Sequence, residues 1–113
     1  MSKSVADFDS FMALDIRIGV IIEAAPAATR KPTLRMTIDF GDPIGVKVSC
    51  GAYTNYDPAA LVGKQVVAVV NFAPRKMGPE TSEVLVLGVP TPSGEGVIPL
   101  TLDQPADIGA AVF

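Results

Sequence analysis

The sequence predicts an all-β protein: five short strands closed into a barrel, one short helix between the third and fourth strands, a short N-terminal helix and a C-terminal extension. Three observations predict it. Apolar and polar residues alternate in three successive runs, the two-residue period of half-buried strands. Breaks rich in proline and glycine separate the runs at short intervals. One segment, from Asp57 to Gly63, carries helix-start chemistry at one end and helix-stop chemistry at the other.

Ser4 and Asp7 stand at capping spacing, and Val5, Phe8, Phe11 and Met12 follow at helical spacing, so a helix is expected over 5–13. Ile16, Ile18, Val20 and Ile22 alternate with polar or small residues and predict the first strand over 16–25, although Ile21 breaks its polar side. Pro26 and Pro32 bracket a loop that carries Arg30 and Lys31. Leu34, Met36, Ile38 and Phe40 mark the second strand. Gly41-Asp42-Pro43 is turn chemistry, and Ile44, Val46, Val48 and Cys50 mark the third. After the capped helical segment, Gln65 to Phe72 reads as a nearly all-apolar fourth strand. Residues 73–82 read as a loop and Val84 to Val89 as the fifth strand. From Pro90 the extension holds short strands around Val97-Ile98 and Ala111-Val112. A helix between strands three and four of five is the order of the OB-fold; a five-strand antiparallel sandwich fragment is the rival reading.

A chain of 113 residues is one domain, large enough for a core without disulfides or metals. With 49% apolar and 19% charged residues it has the make-up of a globular protein. Cys50 is the one cysteine, which excludes an internal disulfide and fits a reducing, cytoplasmic setting. Asp7, Asp9 and Asp15 follow Lys3 with no signal-peptide pattern, and no apolar run approaches the length of a bilayer span, so no membrane insertion is expected. The chain has no histidine, which removes the commonest general base and the commonest metal ligand. A lone Cys50 without an imidazole partner reads as a small buried apolar residue rather than a nucleophile. No enzymatic activity, metal or cofactor is expected.

The net charge of −3 speaks against a polyanionic partner, but its distribution does not. Between Arg17 and Lys76 lie eight of the nine cations against four acids, leaving +4 there, whereas the chain after Met77 has five acids and no cation. That asymmetry suits one basic face on an acidic molecule; ordinary solvated charge is the alternative. If Phe40 pairs with Ile44 across the turn, Thr37 faces Lys47 and Arg35 faces Ser49, all pointing away from the apolar side. An OB-fold binds ligands on its second and third strands, flanked by the loops after strand one and between strands four and five. Arg35 and Lys47, Arg30 and Lys31, and Arg75 and Lys76 fall at those places. Asn71-Phe72-Ala73-Pro74-Arg75-Lys76-Met77 mixes an amide, two cations and soft apolar groups suited to RNA. Phe72 itself reads as core. Asp15 and Glu83 are expected to orient loops or to pair with Arg17 or Arg75.

These residues also resemble a known family. Asp15-Ile16-Arg17-Ile18-Gly19 is similar to the opening of the tRNA-binding domain carried by bacterial methionyl-tRNA synthetases and by stand-alone proteins. Leu61-Val62-Gly63-Lys64-Gln65-Val66 and Val69 to Met77 resemble its most typical stretch. Ser82 to Leu87, Asp39-Phe40-Gly41 with Ile44-Gly45, and Asp103-Gln104-Pro105 are similar to its CsaA-like subgroup. The resemblance implies an OB-fold homodimer that binds the folded shape of tRNA, with Asn71, Arg75, Lys76, Met77 and Ser82 at the RNA and no catalytic residue. It also implies a second reading, a chaperone for unfolded preprotein segments. Phe8, Phe11, Met12 and the apolar extension over 90–113 are expected at the dimer interface. Two departures stand out: Gly78-Pro79 replaces a later glycine at the tip of the 73–82 segment, and Leu85 stands where many relatives have methionine.

Overall fold

The computed structural model describes residues 2–113. Helix α1 is Phe8–Met12, and strands β1 (Ile16–Pro26), β2 (Leu34–Asp39) and β3 (Val46–Gly51) follow. Helix α2 is Pro58–Leu61 and strand β4 Gln65–Val69. The remaining strands are short: β5 (Arg75–Met77), β6 (Glu80–Ser82), β7 (Leu85–Val86), β8 (Gly88–Pro90) and β9 (Val97–Pro99). The main sheet runs β3-β2-β1-β4-β7, all antiparallel. It curls until the N–H groups of Glu83 and Val84 both donate to the Val48 carbonyl, at 2.7 and 3.3 Å, which nearly closes the barrel. This is the OB-fold, with α2 in the expected place between β3 and β4.

The barrel is filled by alternate residues of its strands, among them Ile21, Met36, Ile38, Phe40, Val66 and Val86, with Leu61 of α2 closing one end. Asp57 caps α2 by accepting from the Ala59 N–H at 3.2 Å, Pro58 opens it, and Gly63 at φ +92° ends it. The apolar pair Ile21-Ile22, which broke the strand pattern, is a β-bulge. Ile22 is the extra residue and faces outward, while Ile21 is buried. Gly19 is required by a close approach: a Cβ there would lie 2.5 Å from Ile38 and 2.7 Å from the Phe40 ring.

Several local expectations are corrected. Helix α1 begins at Phe8 rather than Val5. Its N-cap is Asp7, without a side-chain capping bond, so Ser4 takes no part. The β2–β3 hairpin is one residue out of the expected register. Its pairs are Met36 with Ser49 and Arg35 with Cys50, because Phe40 donates to the Gly45 carbonyl and the turn runs from Gly41 to Gly45. Both glycines have positive φ. A one-residue slip exchanges the faces of a strand. Ser49 therefore points inward, and Cys50 shares the outer face with Arg35. Residues 73–82 are a hairpin, β5–β6, turning at Gly78-Pro79 with Gly78 at φ +62°, the geometry that glycine serves at the first central position of a two-residue turn. The fifth strand is split into β7 and β8, and β8 pairs with β9 of the extension. Beyond β9 the chain returns to β1, where Ile18 donates to Ala110 and Val112 donates to Ile16. No helix among the described residues is long and apolar enough to cross a membrane.

Candidate nucleic-acid interface

Two segments far apart in sequence meet on one side of the barrel. The 27–33 loop is folded by its own bonds, Ala27 N–H to the Thr33 carbonyl at 2.9 Å and Thr33 Oγ1 to the Lys31 carbonyl at 2.9 Å. The β5–β6 hairpin stands opposite. Together they form a groove of about 590 Å3 lined by Arg30, Lys31, Arg75 and Lys76, with Met77 at its side. All four cations are exposed, and none has an ion-pair partner among the described residues. A concave surface lined by one sign of charge concentrates the opposite charge near it.

Glu80 joins the two sides. One of its carboxylate oxygens accepts from the Ala28 N–H at 2.9 Å and from Arg35 Nη1 at 2.8 Å. The Glu80 side chain is 12% exposed. Arg35 is therefore neutralised within the wall rather than held out to solvent. Lys47 is similarly displaced from the expected pairing. It lies opposite Ile38, and its ammonium is 3.9 Å from Glu83, which also accepts from the Val48 N–H at 3.1 Å. Of the six cations expected at this surface, four converge on the groove and two are paired with carboxylates from the acidic end of the chain. That folding of acid onto base is invisible in a linear charge count. Glu83 orients a strand end, as expected, but its cation is Lys47 and not Arg75. Asp15 and Arg17 do pair, at 2.6 Å, and Arg17 also donates to the Gly109 carbonyl, which makes this pair an anchor for the C-terminal extension.

Asn71 and Ser82 are engaged in holding backbone. The Asn71 amide accepts from the Asp15 N–H at 2.8 Å and donates to the Ala13 carbonyl at 2.9 Å, tying the end of β4 to the start of β1. The Ser82 hydroxyl accepts from the Cys50 N–H at 3.0 Å and donates to the Val84 carbonyl at 3.3 Å, docking the hairpin on β3. Phe72 is not core. Strand β4 ends at Val69, the chain turns away through Pro74, and the ring is 48% exposed. Cys50 is also not buried among apolar neighbours. It is half-buried beside Arg75, Met77 and Phe72, and its thiol is pushed up from the ordinary value by desolvation and then by the Glu80 charge, against the opposing pull of Arg35. A mix of apolar residues and proline after a strand is the signal that would have moved Phe72 out of the core.

Residues 16–111 match the family model described as a putative tRNA binding domain. A methionine–tRNA ligase of Bdellovibrio bacteriovorus is 37% identical over 107 residues, and one of Acidithiobacillus ferrooxidans is 39% identical over 105. These alignments cover 95% and 92% of this chain but only 15% of each ligase. Two solved structures match over their whole length. The chaperone CsaA of Bacillus anthracis has a TM-score of 0.90 and 38% identity over 97% of this chain. The CsaA chaperone protein of Picrophilus torridus has 0.89 and 39% over 96%. A hairpin-walled cationic groove on an OB-fold, the motifs around Asp15 and Asn71, and these matches lead to one assignment: the chain belongs to the putative tRNA-binding domain family and is CsaA-like.

Proposed function

We propose that the protein binds structured tRNA, without catalysis, through the groove between the 27–33 loop and the β5–β6 hairpin. The observation that carries this is the convergence of Arg30, Lys31, Arg75 and Lys76, unpaired, on one concave surface. Backbone phosphates are the ligand such a surface suits, and shape rather than sequence is what it reads. Arg35 and Lys47 contribute less, since each is paired with a carboxylate, Glu80 and Glu83. Asn71 and Ser82 serve binding by fixing the backbone that presents Arg75 to Met77. The active form is a homodimer, which sets two grooves on one particle. Helix α1 buries none of its residues within the chain, and Phe8 and Met12 are largely exposed, with Phe11 at 37%. A cytoplasmic setting follows from an RNA ligand.

The test is a double substitution, Arg75→Ala with Lys76→Ala, titrated with unfractionated tRNA across a salt series. Affinity should fall, and the slope of log affinity against log salt should drop by about two units, nearly one for each phosphate no longer neutralised. Unchanged affinity and slope would refute this reading. A second reading, capture of unfolded protein segments, is supported by the chaperone name of the two solved relatives and by the exposed apolar side chains Phe72 and Leu85. Its binding would be nearly independent of salt, since apolar association releases no counterions.

A further inference from the structure

The cationic groove occupies one side of the β5–β6 hairpin. On the other side lies a smaller cavity of about 280 Å3. Its wall is apolar where the groove is charged: Phe72, Met77, Val84 and Leu85, with Cys50 on the β3 side. Phe72 and Leu85 are each about half exposed, at 48% and 49%. A concave apolar patch with a few polar groups at its rim has the make-up of a ligand pocket. Arg75 and Met77 line both cavities. Strand β5 thus separates a groove lined by four cations from a mainly apolar pocket, and Arg75 reaches both.

That arrangement calls for a ligand that carries an anion and an apolar face close together. We propose that the pocket receives one unstacked nucleobase of RNA, whose adjoining phosphate lies in the groove across β5. The inference rests on the RNA-binding reading and deepens it. Phe72 supplies the stacking face, Met77 and Leu85 complete the apolar wall, and Arg75 bridges base and phosphate. Glu83 also lines the pocket, already paired with Lys47, and Arg75 is the one cation in its lining, so the pocket suits the base better than a second phosphate. An apolar peptide side chain fits the same wall by size alone. The shared partition with four cations favours a ligand that carries an anion at every unit.

Phe72→Ala and Phe72→Leu change an exposed side chain, and thermal melts will verify that both variants fold. With unfractionated tRNA, Phe72→Ala should weaken binding about tenfold at every salt concentration with the salt slope unchanged, because stacking releases no counterions. Phe72→Leu should recover only part of that loss. The wild-type chain offers an independent readout, because Cys50 lies in the pocket. In mildly alkaline buffer a single-stranded hexaribonucleotide should slow maleimide labelling of Cys50, whereas the matching abasic strand should not. Unchanged affinity in Phe72→Ala, or equal labelling with both strands, overturns the base pocket. If Arg75→Ala with Lys76→Ala still loses affinity and slope, the tRNA reading survives that failure. If neither change affects tRNA binding, both fall. Protection of Cys50 by an unfolded apolar peptide and not by RNA would assign the pocket to peptides and also overturn the proposal.

Discussion

Glu80 is an acid set among cations, and three segments meet at its carboxylate. Ala28 donates from the loop after β1, Arg35 from β2, and Glu80 itself belongs to the hairpin. A carboxylate this enclosed is stabilised only while both donors remain, since an unpaired charge in such a place is costly. Replacing it removes the cost together with the bonds, leaving Arg35 half-buried without its partner. Glu80→Ala should lower stability by about 1–3 kcal/mol in denaturant melts. Glu80→Gln, which keeps an acceptor for Ala28, should lose less. A melt of Glu80→Ala that superimposes on the wild type would show that the two walls stand without this residue. Tyr53 gives a pH test. Its hydroxyl donates to the Val86 carbonyl at 3.1 Å, and burial, followed by the neighbouring Tyr56, pushes its pKa from 10.0 up to about 12. The neutral phenol is the form the fold accepts. Stability from this group is complete below the unfolded value and declines as pH rises from 10 toward 12. Tyr53→Phe should cost about 1 kcal/mol at neutral pH and flatten that alkaline decline, which chemical denaturation at several pH values will measure.

At the scale of elements, β1 does most of the organising. Its first half pairs with β4, its second half with β2, and the returning C-terminal extension bonds to Ile16 and Ile18 on the edge away from β4. Three partners along one strand require a bend, which the bulge at Ile22 provides, and an open spot for the Phe40 ring, which Gly19 provides. Gly19→Ala should destabilise the fold by about 1–3 kcal/mol, because the fully buried Ile38 side chain and Phe40 ring have no free space into which to move. A shift in the denaturation midpoint measures it, and a neutral outcome would mean that the barrel opens more easily than its packing implies. The β5–β6 hairpin is the counterpart of β1 at the proposed binding surface. It has few backbone bonds of its own and is held by side chains, Glu80 on one side and Ser82 on the other. Short strands held this way transmit any loss at Glu80 or Ser82 to the positions of Arg75 and Lys76.

For the molecule as a whole, the proposed homodimer explains apolar surface that the barrel leaves uncovered. The Phe8 and Phe11 rings lie tilted against each other, centroids 6.0 Å apart, on a helix with no buried residue. Val89 and Ile98 face each other across β8–β9 and are also exposed. A two-fold axis that pairs such patches closes the assembly at a dimer. Light scattering at micromolar concentration should give twice the mass of the chain. Changing Phe8 and Phe11 together to Asp should give monomers or insoluble protein, and should weaken tRNA binding although neither residue lines the groove. A wild-type monomer would remove the dimer from the proposal, and an unaltered dimer in the variant would place the interface elsewhere.

What the sequence determined by itself is whatever depends on near neighbours. The alternation of Leu34, Met36, Ile38 and Phe40 set a strand because side chains in a strand point to opposite faces at every step. Asp57, Pro58 and Gly63 set a helix because its orphan N–H groups and its left-handed exit are local problems. The convergence of Arg30, Lys31, Arg75 and Lys76 on one groove was legible because their loops border one surface in any OB-fold. What only the tertiary structure decided depends on partners far away in the chain. The hairpin register followed from Gly45 entering the turn, and that one step moved Cys50 outward and Ser49 inward. The exposure of Phe72 followed from where β4 stops, which the Asp15 carbonyl and the Asn71 amide settle across more than fifty residues. The pairing of Arg35 and Lys47 with Glu80 and Glu83 followed from barrel closure, which brings the acidic end of the chain against β2 and β3. Periodicity and capping are written into adjacent residues. Register, strand ends and charge pairing are settled by competition among distant groups for the same backbone bonds and the same space.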